Sequence, residues 1–182
     1  MPLSIFVYGD CFHKASISKA DPPDPYAAVV VATNCAFACE LYLKCLIHIE
    51  TGQLIKKLHN LKQLFAMLPD ATKATIQNRF DAQLAKQPDY DNSVAPDDAS
   101  RQMAREAAEK RSKNLIDALR RGAEAFVEWR YLYENDGKGN PFGLFPLPPI
   151  LRTVILEHKP EWANVVLKAT GVGNALPTSP AR

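Results

Sequence analysis

Residues 27–50 read AAVVVATNCAFACELYLKCLIHIE, and this apolar run decides the fold class. The run predicts a long helix, with Pro25 suited to its first turn and Gly52 suited to its C-terminal cap. Between Ala27 and Ile49, four residues with charged, amide or imidazole side chains interrupt it, which favours the core helix of a soluble protein over a membrane span. They are Asn34, Glu40, Lys44 and His48.

Three of these residues share one face of the predicted helix. At 100° per residue, Glu40, Lys44 and His48 fall within an arc of about 80°. Glu40 followed by Lys44 is also the favourable i,i+4 order for an ion pair. Two settings for this polar stripe remain open: it faces solvent, or it faces a cleft or an interface.

The rest of the chain also has helical periodicity. We predict further helices over 59–67, 71–85, 98–134 and 148–157. The fold class is therefore all-α, an up-and-down helical bundle of four to five helices. The bundle covers 26–158 and contains a loop at 87–100. It is flanked by an N-terminal extended segment, 1–25, and a partly disordered C-terminal tail, 159–182.

The predicted helix over 98–134 has an apolar seam with steps of four and three. Arg130 and Glu134 lie beside this seam and are also spaced i,i+4. Because Glu40 and Lys44 carry the opposite charges in that order, we predict that Glu40 pairs with Arg130. The seam consists of Leu115, Leu119, Gly122, Phe126, Trp129 and Tyr133.

Composition excludes several classes of protein. The 182 residues carry a formal net charge of +2, which neither demands nor excludes a nucleic-acid partner. The four cysteines have no zinc-site spacing, so we expect no metal and interpret them as small apolar residues in a reducing compartment. No nucleotide or dinucleotide motif indicates a cofactor. With no secretory signal and no membrane span, we predict a cytoplasmic protein.

Three stretches together resemble the HEPN (higher eukaryotes and prokaryotes nucleotide-binding) superfamily, in particular AbiV-like bacterial members. The first is CAFACELYLKCLIHIETG, with Glu40 and Lys44 in an E-L-x-L-K-x-L pattern. The second is KKLHNLKQLFAMLP, in which His59 opens an H-N-L-x-x-L-F pattern. The third is FVEWRYLYE, which supplies Arg130.

The resemblance implies an all-α bundle that forms a homodimer. In many members it also implies a metal-independent endoribonuclease, whose arginine and histidine meet across a dimer cleft in an R-x(4–6)-H motif. The histidine moves a proton and the arginine stabilises charge on the phosphate. Here the fifth to seventh residues after Arg130 are Asn-Asp-Gly, so the expected histidine is missing.

One literal R-x-x-x-x-x-H match occurs elsewhere, from Arg152 to His158. In an unbroken helix these side chains would point about 240° apart, so the helix must end for them to converge. A surface arginine and a helix-terminal histidine are the alternative interpretation. We treat Arg152, His158 and Arg130 as candidate catalytic residues. The candidate binding or polar-network residues are Glu40, Lys44, Arg130, Glu134, His48 and His59.

We therefore expect a non-catalytic or degenerate HEPN-like module in a bacterial defence or toxin-type system, binding RNA, a nucleotide or a partner protein. A metal-independent endoribonuclease is the alternative. A mild basic cluster at Lys56, Lys57, His59 and Lys62 fits either phosphate contacts or an ordinary solvated face.

Overall fold

The computed structural model describes residues 2–17, 25–86, 112–123 and 144–164. These ranges contain helices and no strand, which confirms the all-α class. The count of four to five helices and their HEPN-like arrangement stay predictions. The described helices are α1 (Pro2–Ile17), α2 (Pro25–Thr51), α3 (Leu61–Ala66), α4 (Asp70–Leu84), α5 (Leu115–Arg121) and α6 (Leu147–His158).

Helix α2 is the centre of the fold, as its sequence predicts. It packs against α1, α3 and α6, while α4 packs against both α5 and α6. Gly52 ends α2 in the left-handed region, with φ of 73°, and its N–H donates to the carbonyl of His48 at 3.1 Å. Although α2 is long and apolar enough to cross a membrane, 67% of its apolar window is buried inside the protein. That burial is typical of a core helix.

The predicted extended segment over residues 1–25 is wrong for residues 2–17, which form helix α1. The N-terminal sequence has little amphipathic periodicity, so packing along α2 decides its structure. Gly9 permits this packing, because a Cβ at that position would lie 2.8 Å from the ring of Tyr42. Phe6, buried on the same side of α1, lies with its ring centroid 6.0 Å from that of Tyr42.

The predicted continuous helix over 98–134 is wrong within residues 112–123. There the helix spans only Leu115–Arg121, with Asn114 extended at φ −161°. The Asn114 side chain accepts from the N–H of Asp117 at 2.9 Å, which caps the new helix start. Gly122 caps its other end. The seam residues Phe126, Trp129 and Tyr133, and the predicted loop at 87–100, lie outside the described residues.

The C-terminal region begins as packed structure rather than as a disordered tail. Helix α6 ends at His158, and the chain continues through a turn to Trp162, which is buried. The Trp162 ring lies 5.5 Å from that of Phe6 in α1. An aromatic contact of this kind stabilises the end of the bundle, so packed structure continues past residue 158, the predicted boundary of the bundle. Residues 165–182 lie outside the described ranges.

Candidate functional site

The polar stripe of α2 faces the protein interior at its first two members. Glu40 is 1% exposed and Lys44 is also buried, so the solvent-facing alternative is wrong for both residues. The Lys44 ammonium donates to Glu40 Oε1 at 2.7 Å. His48 is partly buried, and its Nδ1 has no hydrogen-bond partner among the described residues. The stripe is therefore covered by the segments that pack on α2.

His59 joins this stripe from the chain before α3. Its Nδ1 lies 3.0 Å from Glu40 Oε1, while 46% of its side chain remains exposed. Lys44 and His59 thus both contact Oε1 of Glu40. The other oxygen, Oε2, is buried without a hydrogen bond to the described residues. We call Glu40, Lys44 and His59 the Glu40 centre. It attaches the segment between α2 and α3 to the middle of α2.

Two other residues, Arg130 and Glu134, are predicted to belong to the same polar network. Arg130 and Glu134 lie outside the described residues, so the predicted Glu40–Arg130 pair stays a prediction. Within the described ranges, Glu40 forms an ion pair with Lys44 on the same helix and contacts the His59 ring. The sequence predicts a polar network containing these two residues and Glu40, and its i,i+4 spacing indicates the Glu40–Lys44 pair, but it does not predict the contact of His59 with Glu40.

A second buried carboxylate, Asp10, was not among the sequence candidates. Asp10 is 2% exposed and accepts from the Tyr42 hydroxyl at 2.5 Å. Arg152 Nε donates to both of its oxygens, at 3.0 and 3.2 Å. These three residues, which we call the Asp10 centre, come from α1, α2 and α6. Burial, and then the hydrogen bond to Asp10, raise the pKa of the Tyr42 hydroxyl far above its usual value.

His13 lies at the edge of the Asp10 centre, one turn after Asp10 on α1. Its Nδ1 is 3.4 Å from the Tyr42 hydroxyl oxygen, and the two rings meet edge to face. Burial lowers the pKa of His13; nearby Asp10 opposes this shift, whereas Arg152 and Lys14 reinforce it. Asp10 and His13 have the i,i+3 spacing that places two side chains on the same face of a helix. This spacing indicates a site only if residues 2–17 are first recognised as a helix.

The predicted pair Arg152 and His158 is not brought together within one chain. Helix α6 continues without a break through His158, so the two side chains leave it in different directions. Arg152 binds Asp10, whereas His158 Nε2 lies 3.4 Å from Glu50 Oε1. The same Glu50 oxygen accepts a short hydrogen bond from the Thr72 hydroxyl. An Arg152–His158 pair between two subunits stays a prediction.

A shallow groove between α4 and α6 has a volume of about 380 Å³. Arg79 crosses it and donates to both carboxylate oxygens of Glu157, at 2.9 and 3.0 Å. Lys86 and Gln83 also line it, beside the apolar side of Ile150. Its best-placed cation is therefore already paired within the protein.

Three of the four cysteines are buried apolar residues, as the sequence indicates, but Cys11 is not. Cys35, Cys39 and Cys45 are buried, whereas Cys11 is exposed. Burial raises the pKa of the Cys39 thiol and raises that of Cys45 to about 12, so neither forms a reactive thiolate near neutral pH. No group of three metal-ligating side chains occurs in the described part of the chain.

The basic cluster, which lies between α2 and α3 and in the first turn of α3, is exposed. Lys56, Lys57 and Lys62 all lie on the surface, and none forms an ion pair with a described residue. No aspartate or glutamate occurs between Glu50 and Asp70 in the sequence. We call these three residues the lysine face. Their positive charge is not neutralised by neighbouring carboxylates in the described structure.

Comparison of the chain with protein-family models, with curated proteins and with solved structures found no significant match.

Proposed function

We propose that the protein is a non-catalytic, HEPN-like helical module that binds RNA through its phosphate backbone. The lysine face, Lys56, Lys57 and Lys62, carries the proposal. Its exposed ammonium groups have no carboxylate partner among the described residues. Such uncompensated positive charge attracts phosphates and releases their counterions on binding.

Three other basic side chains of the described structure are already paired, unlike Lys14 and Lys86. Lys73 lies 2.8 Å from Asp70, Arg79 lies 2.9 Å from Glu157, and Arg120 lies 2.7 Å from Asp117. An ion pair cancels much of the local field, so these positions attract a polyanion less strongly than the lysine face. The difference favours one binding surface over a diffuse positive charge.

The segment carrying the lysines is attached to the core. His59 contacts buried Glu40, and the N–H of Leu61 donates to the carbonyl of Ala123 at 2.9 Å. Asn60 caps the first turn of α3 by accepting from the N–H of Gln63. These contacts order the segment before RNA binds, so less conformational entropy is lost on binding.

We propose that the protein does not cleave RNA, because both members of the candidate catalytic pair are bound to other residues of the protein. Arg152 neutralises buried Asp10, and His158 contacts Glu50. The endoribonuclease that the HEPN resemblance implies needs an arginine and a histidine that face the same phosphate. Here the two side chains contact different carboxylates.

The test is binding of fluorescently labelled single-stranded RNA in EDTA, followed by anisotropy. We expect the triple variant K56Q/K57Q/K62Q to bind at least about tenfold more weakly than the unmodified protein at low salt. The slope of log affinity against log salt should fall by about 2, since each lost phosphate contact removes about 0.7. The control K73Q/K86Q/K113Q removes the same charge outside the lysine face and should retain most of the affinity.

Two results would contradict the proposal. Equal losses in the two triple variants would mean that binding depends on net charge alone. No RNA binding by the unmodified protein, with retention of a protein from the same cells instead, would favour a protein partner. The RNA must also remain intact in EDTA. Cleavage that disappears in H158A or R152K would favour the endoribonuclease.

A further inference from the structure

Toward the described residues, the guanidinium of Arg152 uses only one of its three nitrogens. Its Nε donates to both oxygens of Asp10, and its Cζ lies 5.9 Å from the centre of the Phe6 ring. The two terminal nitrogens form no hydrogen bond with the described residues, and neither is buried. About a third of the side chain, 32%, is exposed. A guanidinium fixed through Nε presents a rigid two-nitrogen fork to a ligand.

His13 offers a second group beside this fork. The single proton of the Tyr42 hydroxyl is donated to Asp10, so the hydroxyl oxygen can only accept from His13 Nδ1–H. That contact turns Nε2, which has no partner among the described residues, away from Tyr42. Protonation of His13 would place a donor on Nε2. Lys14 follows directly and is exposed without an ion pair in the described structure.

We propose that Arg152, His13 and Lys14 form a binding site for a phosphomonoester at the junction of α1 and α6. This site is separate from the lysine face. Asp10 and Tyr42 do not touch the ligand; they hold the guanidinium and the imidazole in place. Because Arg152 forms an ion pair with Asp10, Lys14 and a protonated His13 supply the net positive charge that an incoming anion meets.

The donor set fits a monoester better than a diester within an RNA chain. A monoester has three terminal oxygens and two negative charges near neutral pH, whereas an internal diester has two such oxygens and one charge. The Arg152 fork can bind two oxygens side by side, and His13 can donate to the third. Free phosphate and the 5′-phosphate of an RNA both present this group.

Binding would be coupled to the protonation of His13. The charged and titratable groups facing this ring are Asp10, Tyr42, Arg152 and Lys14. Burial lowers the pKa of free His13, so the ring is mainly neutral at pH 7, and a bound dianion would raise that pKa. The ratio of unmodified to H13Q affinity should therefore rise as the pH falls from 7.5 to 5.5. Titration of the phosphate itself is common to both proteins and cancels in the ratio.

Calorimetric titration with inorganic phosphate tests the site. The double variant D10N/R152Q removes the guanidinium without leaving a buried charge and should bind phosphate at least about tenfold more weakly. The matched control R79Q/E157Q removes another interhelical arginine–carboxylate pair and should bind within about twofold of the unmodified protein. H13Q/K14Q, which alters no fully buried residue, should also lose affinity. It provides the test if D10N/R152Q does not fold.

Two outcomes would overturn the proposal: no saturable binding of phosphate to the unmodified protein at millimolar concentrations, or equal affinity in H13Q/K14Q and the control. A pair of RNA oligonucleotides, with a 5′-phosphate and with a 5′-hydroxyl, identifies the source of the group. Tighter binding of the 5′-phosphorylated RNA that is lost in H13Q/K14Q would assign the site to an RNA end. Equal RNA affinities with saturable phosphate binding would assign it to a small phosphorylated molecule.

Discussion

The two carboxylates buried against α2 are neutralised in different ways. Asp10 accepts from Tyr42 and from Arg152, so its centre joins α1, α2 and α6. Glu40 accepts from Lys44 on its own helix and from half-exposed His59, and its Oε2 has no partner among the described residues. The Asp10 centre therefore holds three helices together, whereas the Glu40 centre mainly positions the segment that carries the lysine face.

The largest effect should come from removing the cation of the Asp10 centre. R152A leaves a buried carboxylate with only Tyr42 as a donor, and we expect it to lower the free energy of unfolding by about 3 kcal/mol. D10N/R152Q removes both charges and keeps polar groups in place, so its loss should be less than half as large. Urea unfolding at pH 7 measures both. Equal losses would mean that packing of the arginine, rather than its charge, matters.

A second way to break the Asp10 centre is to separate α1 from α2. In G9A the added Cβ would lie 2.8 Å from the Tyr42 ring. We expect a loss of about 1–3 kcal/mol from this overpacking, and a rearranged Tyr42–Asp10 hydrogen bond. Thermal unfolding measures the loss. A15G, at an exposed position of the same helix, is the control for glycine and alanine helix propensity, which changes stability by about 1 kcal/mol.

The Glu40 centre should tolerate neutralisation better. E40Q/K44M removes a buried ion pair that is made within one helix and leaves an acceptor for His59. Because the unpartnered Oε2 already costs free energy, we expect stability within about 1 kcal/mol of the unmodified protein, or higher. Chemical unfolding provides the measurement. A loss as large as that of R152A would show that the two centres are equally important for the fold.

The smallest effect should be the pH dependence contributed by His13. The pKa of this residue is lowered in the folded protein, so the unfolded chain binds the proton more readily. Protonation of His13 therefore does not affect stability at pH values well above the ordinary histidine pKa. It lowers the free energy of unfolding as the pH falls below about 6.5. H13Q should remove this part of the acid sensitivity. Unfolding midpoints measured from pH 5 to 8 should therefore converge for the two proteins only at the upper end.

How much the sequence predicts depends on how local the signal is. Helix α2 follows from one long, mainly apolar run, and the Glu40–Lys44 pair follows from i,i+4 spacing. The Asp10–Arg152 pair joins residues 142 positions apart, so no local pattern reveals it. Helix α1 also depends on a distant surface, because its own periodicity is weak.

The prediction of one continuous helix over 98–134 is wrong for a different reason. Asn114 and Gly122 are ordinary helix-capping residues, and both are visible in the sequence. The apolar seam continues past both residues in the sequence and therefore obscures these stop signals. The hydrogen bond from the N–H of Leu115 to Asp81, at 3.0 Å, supports the new start through a tertiary contact.

The central structural claim is that Arg152 serves buried Asp10 and does not form a catalytic pair with His158. Double-mutant cycles measure it directly, by urea unfolding of R152A with D10A and, separately, with H158A. We predict a coupling free energy of about 2 kcal/mol or more for Arg152 with Asp10, and below about 0.5 kcal/mol for Arg152 with His158. Strong coupling of Arg152 to His158, with little coupling to Asp10, would contradict the account.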